Sequence, residues 1–189
     1  KLDSQHNLGD FAPDGRTFAY CANDQNPANM DLILYDVASG ETCRPLPAGK
    51  LYEPAFWSRD GRYLTVIEIN SNTDQNILLL DVQTGEHHNT TPHEGEVIFF
   101  PGPWALDGSG FYLVTNTGRE FTGIAFYRLA DQKWDWVETP DHDMEQLDIS
   151  RDGRVMAWAI NAGGVSKLYG RDLQTGENLT LPELPLGVI

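Results

Sequence analysis

Four groups of residues in this 189-residue chain have types and spacings that could do chemistry. The run Asn70-Ser-Asn72-Thr-Asp74-Gln-Asn76 sets oxygen-bearing side chains at alternate positions, as the first half of a calcium loop does. The match stops there, because Gln75 replaces the sharp-turn Gly and no bidentate Glu closes the loop. A polar loop whose side chains cap its own backbone is expected instead. His87, His88 and His93 cluster as metal ligands would, but adjacent strand residues point to opposite faces, so His87 and His88 cannot share an ion without a bulge. Solvated turn histidines are expected, with no metal and no other cofactor. Ser166 in Gly164-Val-Ser-Lys-Leu168 and Ser109 in Asp107-Gly-Ser-Gly110 approach the G-x-S-x-G nucleophile elbow without completing it. Both read as turn residues, so no catalytic residue is expected and the chain should be catalytically silent. Cys21 and Cys43 would sit in the second and fourth strands of one sheet, about 9–10 Å apart, beyond disulfide reach.

The elements that would position these residues come from an internal repeat. An Asp-Gly turn recurs at Asp14-Gly15, Asp60-Gly61, Asp107-Gly108 and Asp152-Gly153, spaced 46, 47 and 45 residues apart. A second marker follows each at about 20 residues, within one repeat length: Asp36-Val-Ala-Ser-Gly40-Glu41, Asp81-Val-Gln-Thr-Gly85-Glu86 and Asp172-Leu-Gln-Thr-Gly176-Glu177. The third copy, Tyr127-Arg-Leu-Ala-Asp131-Gln-Lys133, keeps the register and loses the Gly. A third marker, Asn23, Asn70, Asn116 and Asn161, falls 9, 10, 9 and 9 residues after the respective Asp. Asn tolerates left-handed backbone and bonds its own turn, so it belongs at a strand end. The segments between markers are short and rich in β-branched and aromatic residues, as in Arg62 to Ile69 and Ile77 to Leu80. Asp-Gly between two such runs signals a hairpin in which both central residues take positive φ.

A four-stranded unit of this length, repeated in tandem, has the dimensions of a β-propeller blade. The fold class is therefore all-β: a propeller segment of four consecutive four-stranded antiparallel blades, at about 5–48, 49–94, 95–141 and 142–189, forming one domain over 1–189. The fourth strand of the last blade is expected at Asn178-Leu-Thr-Leu181, and the tail from Pro182 to Ile189 reads as the lead into a further blade. An open arc cut from a larger ring is expected, and the first residues, Lys1-Leu-Asp-Ser-Gln-His6, read as those of an excised piece.

Composition sets the outer limits. With 28 Asp and Glu against 13 Lys and Arg, the formal charge is −15, which argues against nucleic acid and anionic membranes as partners. The longest apolar runs fall far short of the roughly 20 residues of a membrane-spanning helix. Two cysteines make no disulfide framework, and a cytoplasmic location is the expectation.

The pattern Trp57-Ser-Arg-Asp-Gly-Arg-Tyr-Leu64 followed by Leu79-Leu-Asp-Val-Gln-Thr-Gly-Glu86 resembles the TolB-like propeller repeat. That repeat is shared by periplasmic TolB and by the amino-terminal propellers of prolyl oligopeptidase family serine peptidases. The stretches Thr91 to Glu96, Pro101 to Phe111 and Gly118 to Phe121 are most similar to the bacterial peptidases. The resemblance implies a non-catalytic cap over a carboxy-terminal α/β-hydrolase domain, restricting access to peptide substrates. Its alternative is a TolB-like protein-interaction scaffold without enzymatic activity. Phe11, Trp57 and Trp104 recur three residues before each Asp and should fill the core between blades. Residues that break the repeat are better functional candidates: Arg119 and Glu120, in a loop of variable length, as contacts to substrate or to the hydrolase domain, and Trp134 and Trp136 around the lost Gly. End blades would expose apolar faces, so two four-bladed arcs could close as a homodimer.

Overall fold

The structure, a computed structural model, describes residues 3–182, 185, 187 and 188; residues 183, 184, 186 and 189 of the tail, with 1 and 2, lie outside it. Blade 1 is the sheet of β1 (His6–Phe11), β2 (Thr17–Ala22), β3 (Asp31–Asp36) and β4 (Thr42–Cys43), in that order. Blade 2 holds β5 (Leu51–Trp57), β6 (Tyr63–Ser71), β7 (Asp74–Asp81) and β8 (His87–Asn89). Blade 3 holds β9 (Phe99–Trp104), β10 (Gly110–Thr115), β11 (Gly123–Arg128) and β12 (Lys133–Glu138). Blade 4 holds three strands, β13 (Met144–Ile149), β14 (Val155–Asn161) and β15 (Ser166–Asp172). The strand expected at Asn178 to Leu181 is reduced to a single bridge between Arg171 and Asn178, with the Leu179 N–H donating to the Gly170 carbonyl at 2.8 Å. All strand pairs are antiparallel, each sheet is a simple meander, and the arc does not close.

The turns differ from the expected hairpins in one respect. Each Asp-Gly glycine has a positive φ, between 69° and 71°, but its Asp does not, so the loop is a type I turn followed by a left-handed Gly. The carboxylate closes the loop in all four copies, accepting from the backbone N–H two residues on: Arg16, Arg62, Ser109 and Arg154, at 2.9–3.1 Å. The second turn marker works alike. Oδ1 of Asp36, Asp81 and Asp172 accepts two successive backbone N–H groups, and Gly40, Gly85 and Gly176 follow at φ of 74–75°. In the degraded third copy, Gln132 takes that left-handed position at φ 56°, keeping the turn bond from its N–H to the Arg128 carbonyl at 3.0 Å.

Alternation in the strands gives each blade one face for the blade before it and one for the blade after. Ala19, Cys21, Leu32 and Leu34 of blade 1 pack on Tyr52, Trp57, Leu64 and Val66 of blade 2. Ile77 and Leu79 of blade 2 meet Phe99, Trp104, Phe111 and Leu113 of blade 3. Ile124 of blade 3 meets Ile149, Met156 and Trp158 of blade 4. Two indoles add a directional latch: Trp57 Nε1 donates to the Asp10 carbonyl at 3.1 Å, and Trp104 Nε1 to the Phe56 carbonyl at 3.2 Å. Phe11 departs from its expected core role and is 51% exposed, because no described blade covers that face of blade 1.

Candidate functional site

The first strands β1, β5, β9 and β13 contact one another in succession, and they bring one residue set from every blade to the concave side of the arc. There, Asp10 and Phe11, Phe56 and Trp57, Pro103 and Trp104, and Asp148 and Ile149 are repeat-equivalent and line a hollow of about 400 Å³. Its floor is aromatic, with Phe56 exposed in it, and its two ends carry carboxylates. Asp10 Oδ1 and Asp148 Oδ1 each accept the next residue's N–H at 2.7 Å, which fixes how both carboxylates are held. Arg59 is a cation on the same lining. Such a hollow suits an extended, partly apolar chain with a positive group, and the residues were findable in the sequence as the two positions ending each first strand.

Arg119 and Glu120 do not line this hollow; they belong to the loop between β10 and β11, at the opposite end of the blades from the Asp-Gly turns. Arg119 folds back on its own blade. Its guanidinium lies over the Trp136 ring at 5.5 Å, and Nη2 donates to the Pro140 carbonyl at 2.6 Å, while Nη1 is buried without a partner. Glu120 is exposed beside it. Trp136 meets Trp134 edge-on at 5.4 Å, and Trp134 meets Phe99 at 6.5 Å, so this non-repeating cluster holds the loop and the outer edge of blade 3 together.

The other chemical candidates resolve into structure. Asn70 Nδ2 donates to Asp74 Oδ1 at 3.1 Å, which makes the supposed calcium ligand a turn cap. His93 is not a solvated turn residue: its ring lies 5.2 Å from that of Phe99, with Nε2 3.2 Å from Asp74 Oδ1 and Nδ1 2.8 Å from the Thr91 carbonyl. The blade link carries it into the junction, a long-range effect that local sequence does not encode. His88 reaches across to the Tyr127 hydroxyl at 3.2 Å, and desolvation, then the neighbouring His87, holds its imidazole below the usual range. No group of three metal-ligating side chains gathers among the described residues. Both cysteines are free, and burial, then Glu53 and Asp31, pushes the Cys21 thiol up to about 12, so it stays an uncharged core group. Ser4 Oγ lies 3.0 Å from His6 Nε2, a local contact at the entry to β1 and away from the hollow.

The marker Asn residues do more than bond their own turns. Asn23 Oδ1 accepts from Gln5 N–H at 2.6 Å and Asn116 Oδ1 from Ile98 N–H at 3.0 Å, so each pins the chain entering its own blade. This puts the Asn loops and the blade links at one end, and the Asp-Gly turns at the other.

No protein-family model matches the sequence, and no curated protein aligns with it. Solved structures do. The chain is similar to TolB from Acinetobacter baumannii, with a TM-score of 0.71 at 19% identity, over 93% of this chain and 43% of that one. It is similar to a prolyl endopeptidase, with a TM-score of 0.78 at 15% identity, over 97% of this chain and 28% of that one. It is also similar to dipeptidyl peptidase 4 from Porphyromonas gingivalis, with a TM-score of 0.71 at 14% identity, over 97% of this chain and 33% of that one. The fold is thus a TolB-like β-propeller segment, and the chain spans less than half the length of each of these proteins.

Proposed function

We propose that the chain is the non-catalytic propeller portion of a prolyl oligopeptidase-like serine peptidase, capping an α/β-hydrolase domain and limiting what reaches it to peptides. The observation that supports this reading most is the hollow to which all four blades contribute, within a segment that aligns over 97% of its length with a prolyl endopeptidase. An aromatic floor between two carboxylate ends suits a peptide backbone with an apolar or cationic side chain. Glu120, exposed at the opposite end, is the proposed contact to the hydrolase domain, with Arg119 as the residue that fixes the loop. A cytoplasmic site of action is part of the same reading. The second reading, a TolB-like interaction scaffold, draws on the alignment with TolB over 93% of the chain.

The test is turnover by the native polypeptide of a chromogenic peptide series of rising length, beside an unfolded protein. The cap reading expects short peptides to be cleaved and the long chain to be spared, with Glu120→Lys altering KM or domain docking. Absence of turnover across the series would favour the scaffold.

A further inference from the structure

A second pocket lies on the concave side beside the hollow and shares Phe56 with it. Its walls come from three consecutive blades: Phe56 of β5, Phe100 of β9 with Val114 of β10, and Met144, Glu145 and Leu147 of β13. Both junctions it spans, blade 2 with 3 and blade 3 with 4, are packed within this chain. Its volume of about 230 Å³ gives room for one long side chain. Phe56 and Phe100 are 40% and 45% exposed, so two rings of the lining stand open to a guest.

Glu145 is the one charged group on this otherwise largely apolar lining. Its Oε1 accepts from Asn161 Nδ2 at 2.9 Å, and its Oε2 is buried with no hydrogen-bond partner among the described residues. Asn161 is itself fixed, with Oδ1 accepting the Gly164 N–H at 2.8 Å and its own N–H donating to the Asp143 carbonyl at 2.9 Å. The carboxylate is therefore held in place, while one of its oxygens lacks a donor. Leaving a buried charged acceptor unpaired is costly, and no Lys or Arg lines the pocket to offset it. Glu145 also breaks the repeat. Seven residues before the other turn aspartates stand Asn7, Glu53 and Phe100, so this position is not reserved for core packing as the indole position is.

We propose that this pocket is a subsite for one basic side chain, Arg or Lys, of the peptide that occupies the hollow. Glu145 Oε2 receives the charged head, and Phe56, Val114, Met144 and Leu147 cover the aliphatic stem. The inference rests on the peptide-binding hollow of the proposed function and needs no hydrolase domain. Long cationic side chains bury their methylene stems on apolar surface and keep the head on a polar group, which is the arrangement this lining offers. The exposed Phe100 ring adds an attraction for a cation, strongest for the planar guanidinium of Arg. A neutral side chain leaves Oε2 unpaired, and an acidic one is repelled, so selectivity has both an attractive and a repulsive part. The charge of −15 on the chain favours the approach of basic peptides.

Fluorescence anisotropy of labelled peptides reads the result, using the native polypeptide after fluorophosphonate treatment so that nothing is cleaved. The peptides share one apolar host sequence and carry Arg, Lys, citrulline or Glu at a single central position. Arg and Lys should bind roughly 10-fold or more tighter than citrulline, the gain of a charge-assisted hydrogen bond over a neutral one, with Glu weakest. Glu145→Gln should bring the Arg peptide down to the level of citrulline. Because this change removes a buried charge that lacks a partner, the urea midpoint of the free protein should stay the same or rise. A lower midpoint would make Glu145 a structural acceptor and overturn the proposal. Equal binding of all four peptides, or an Arg preference that survives Glu145→Gln, overturns the subsite and leaves the peptide-binding hollow standing. Failure of every peptide to bind overturns both.

Discussion

The two junctions flanking blade 2 are latched by indoles, whereas the junction of blade 3 with blade 4 is latched by charge. Trp57 and Trp104 each bury a large ring between blades and donate a neutral hydrogen bond to the preceding blade's backbone. The equivalent residue in blade 4 is Ile149, which fills space but cannot donate. In its place Arg171 of β15 pairs with Glu138 of β12 and lies over the Trp158 ring at 5.7 Å. Thr122 and Asp143 add a second tie, with Asp143 Oδ1 accepting the Thr122 N–H at 3.1 Å and Thr122 Oγ1 accepting the Met144 N–H at 2.8 Å. The difference teaches that strand register fixes where blades meet, while the chemistry of the meeting is free to vary.

The largest expected effect breaks an indole latch. Trp104→Ala removes a ring at the centre of the blade 2 and blade 3 core and takes one of the two donors, beside the Thr65 hydroxyl, from the Phe56 carbonyl, so a loss of about 3–5 kcal/mol is expected in urea denaturation. Next is the charged junction. Arg171→Ala should cost about 1–2 kcal/mol at low salt, since both partners are largely shielded from water, and the difference from wild type should shrink at high salt. The cost of Trp104→Ala should be indifferent to salt, and equal salt dependence of the two variants would erase the contrast between junctions.

A smaller effect sharpens the comparison between regular and degraded repeats. Gln132 holds a left-handed conformation that its three counterparts give to Gly, so Gln132→Gly should stabilise the protein by about 0.5–1 kcal/mol in thermal melts. The smallest is spread over the turn carboxylates. Asp36 and Asp172 are held below their ordinary value of 3.8, first by the backbone N–H groups of Ser39 and Thr175, and Asp60 and Asp152 by the hydroxyls of Ser58 and Ser150. A lowered folded-state pKa gives stability that is complete above about pH 4 and lost as the pH falls through the folded values. Acid titration of the melting temperature should therefore be flat from neutral pH to about 4 and fall below it, and Asp172→Asn should flatten the fall.

Much of this architecture was legible because the markers are local. Asp-Gly, Asn and Thr-Gly-Glu each fix a turn through bonds within a few residues, so their spacing alone lays out the blades. Phe11 shows the limit: it has the right type and register for the core, but its burial depends on a neighbour that sequence periodicity cannot supply. The same holds for Arg119, whose fold-back over Trp136 and Pro140 joins residues far apart in the chain. It holds for His93, drawn between Asp74 and Phe99 by the link between blades. The concave hollow was half legible, since its lining repeats at fixed offsets, but its carboxylate ends, Asp10 and Asp148, stand out only when the first and last blades face across the arc.

The most direct test of the proposed role is labelling of the native polypeptide with a fluorophosphonate serine-hydrolase probe, beside the 189-residue chain alone. A propeller cap predicts a labelled native polypeptide and an unlabelled chain. Labelling of the isolated chain would contradict its non-catalytic character, and an unlabelled native polypeptide would contradict the peptidase assignment.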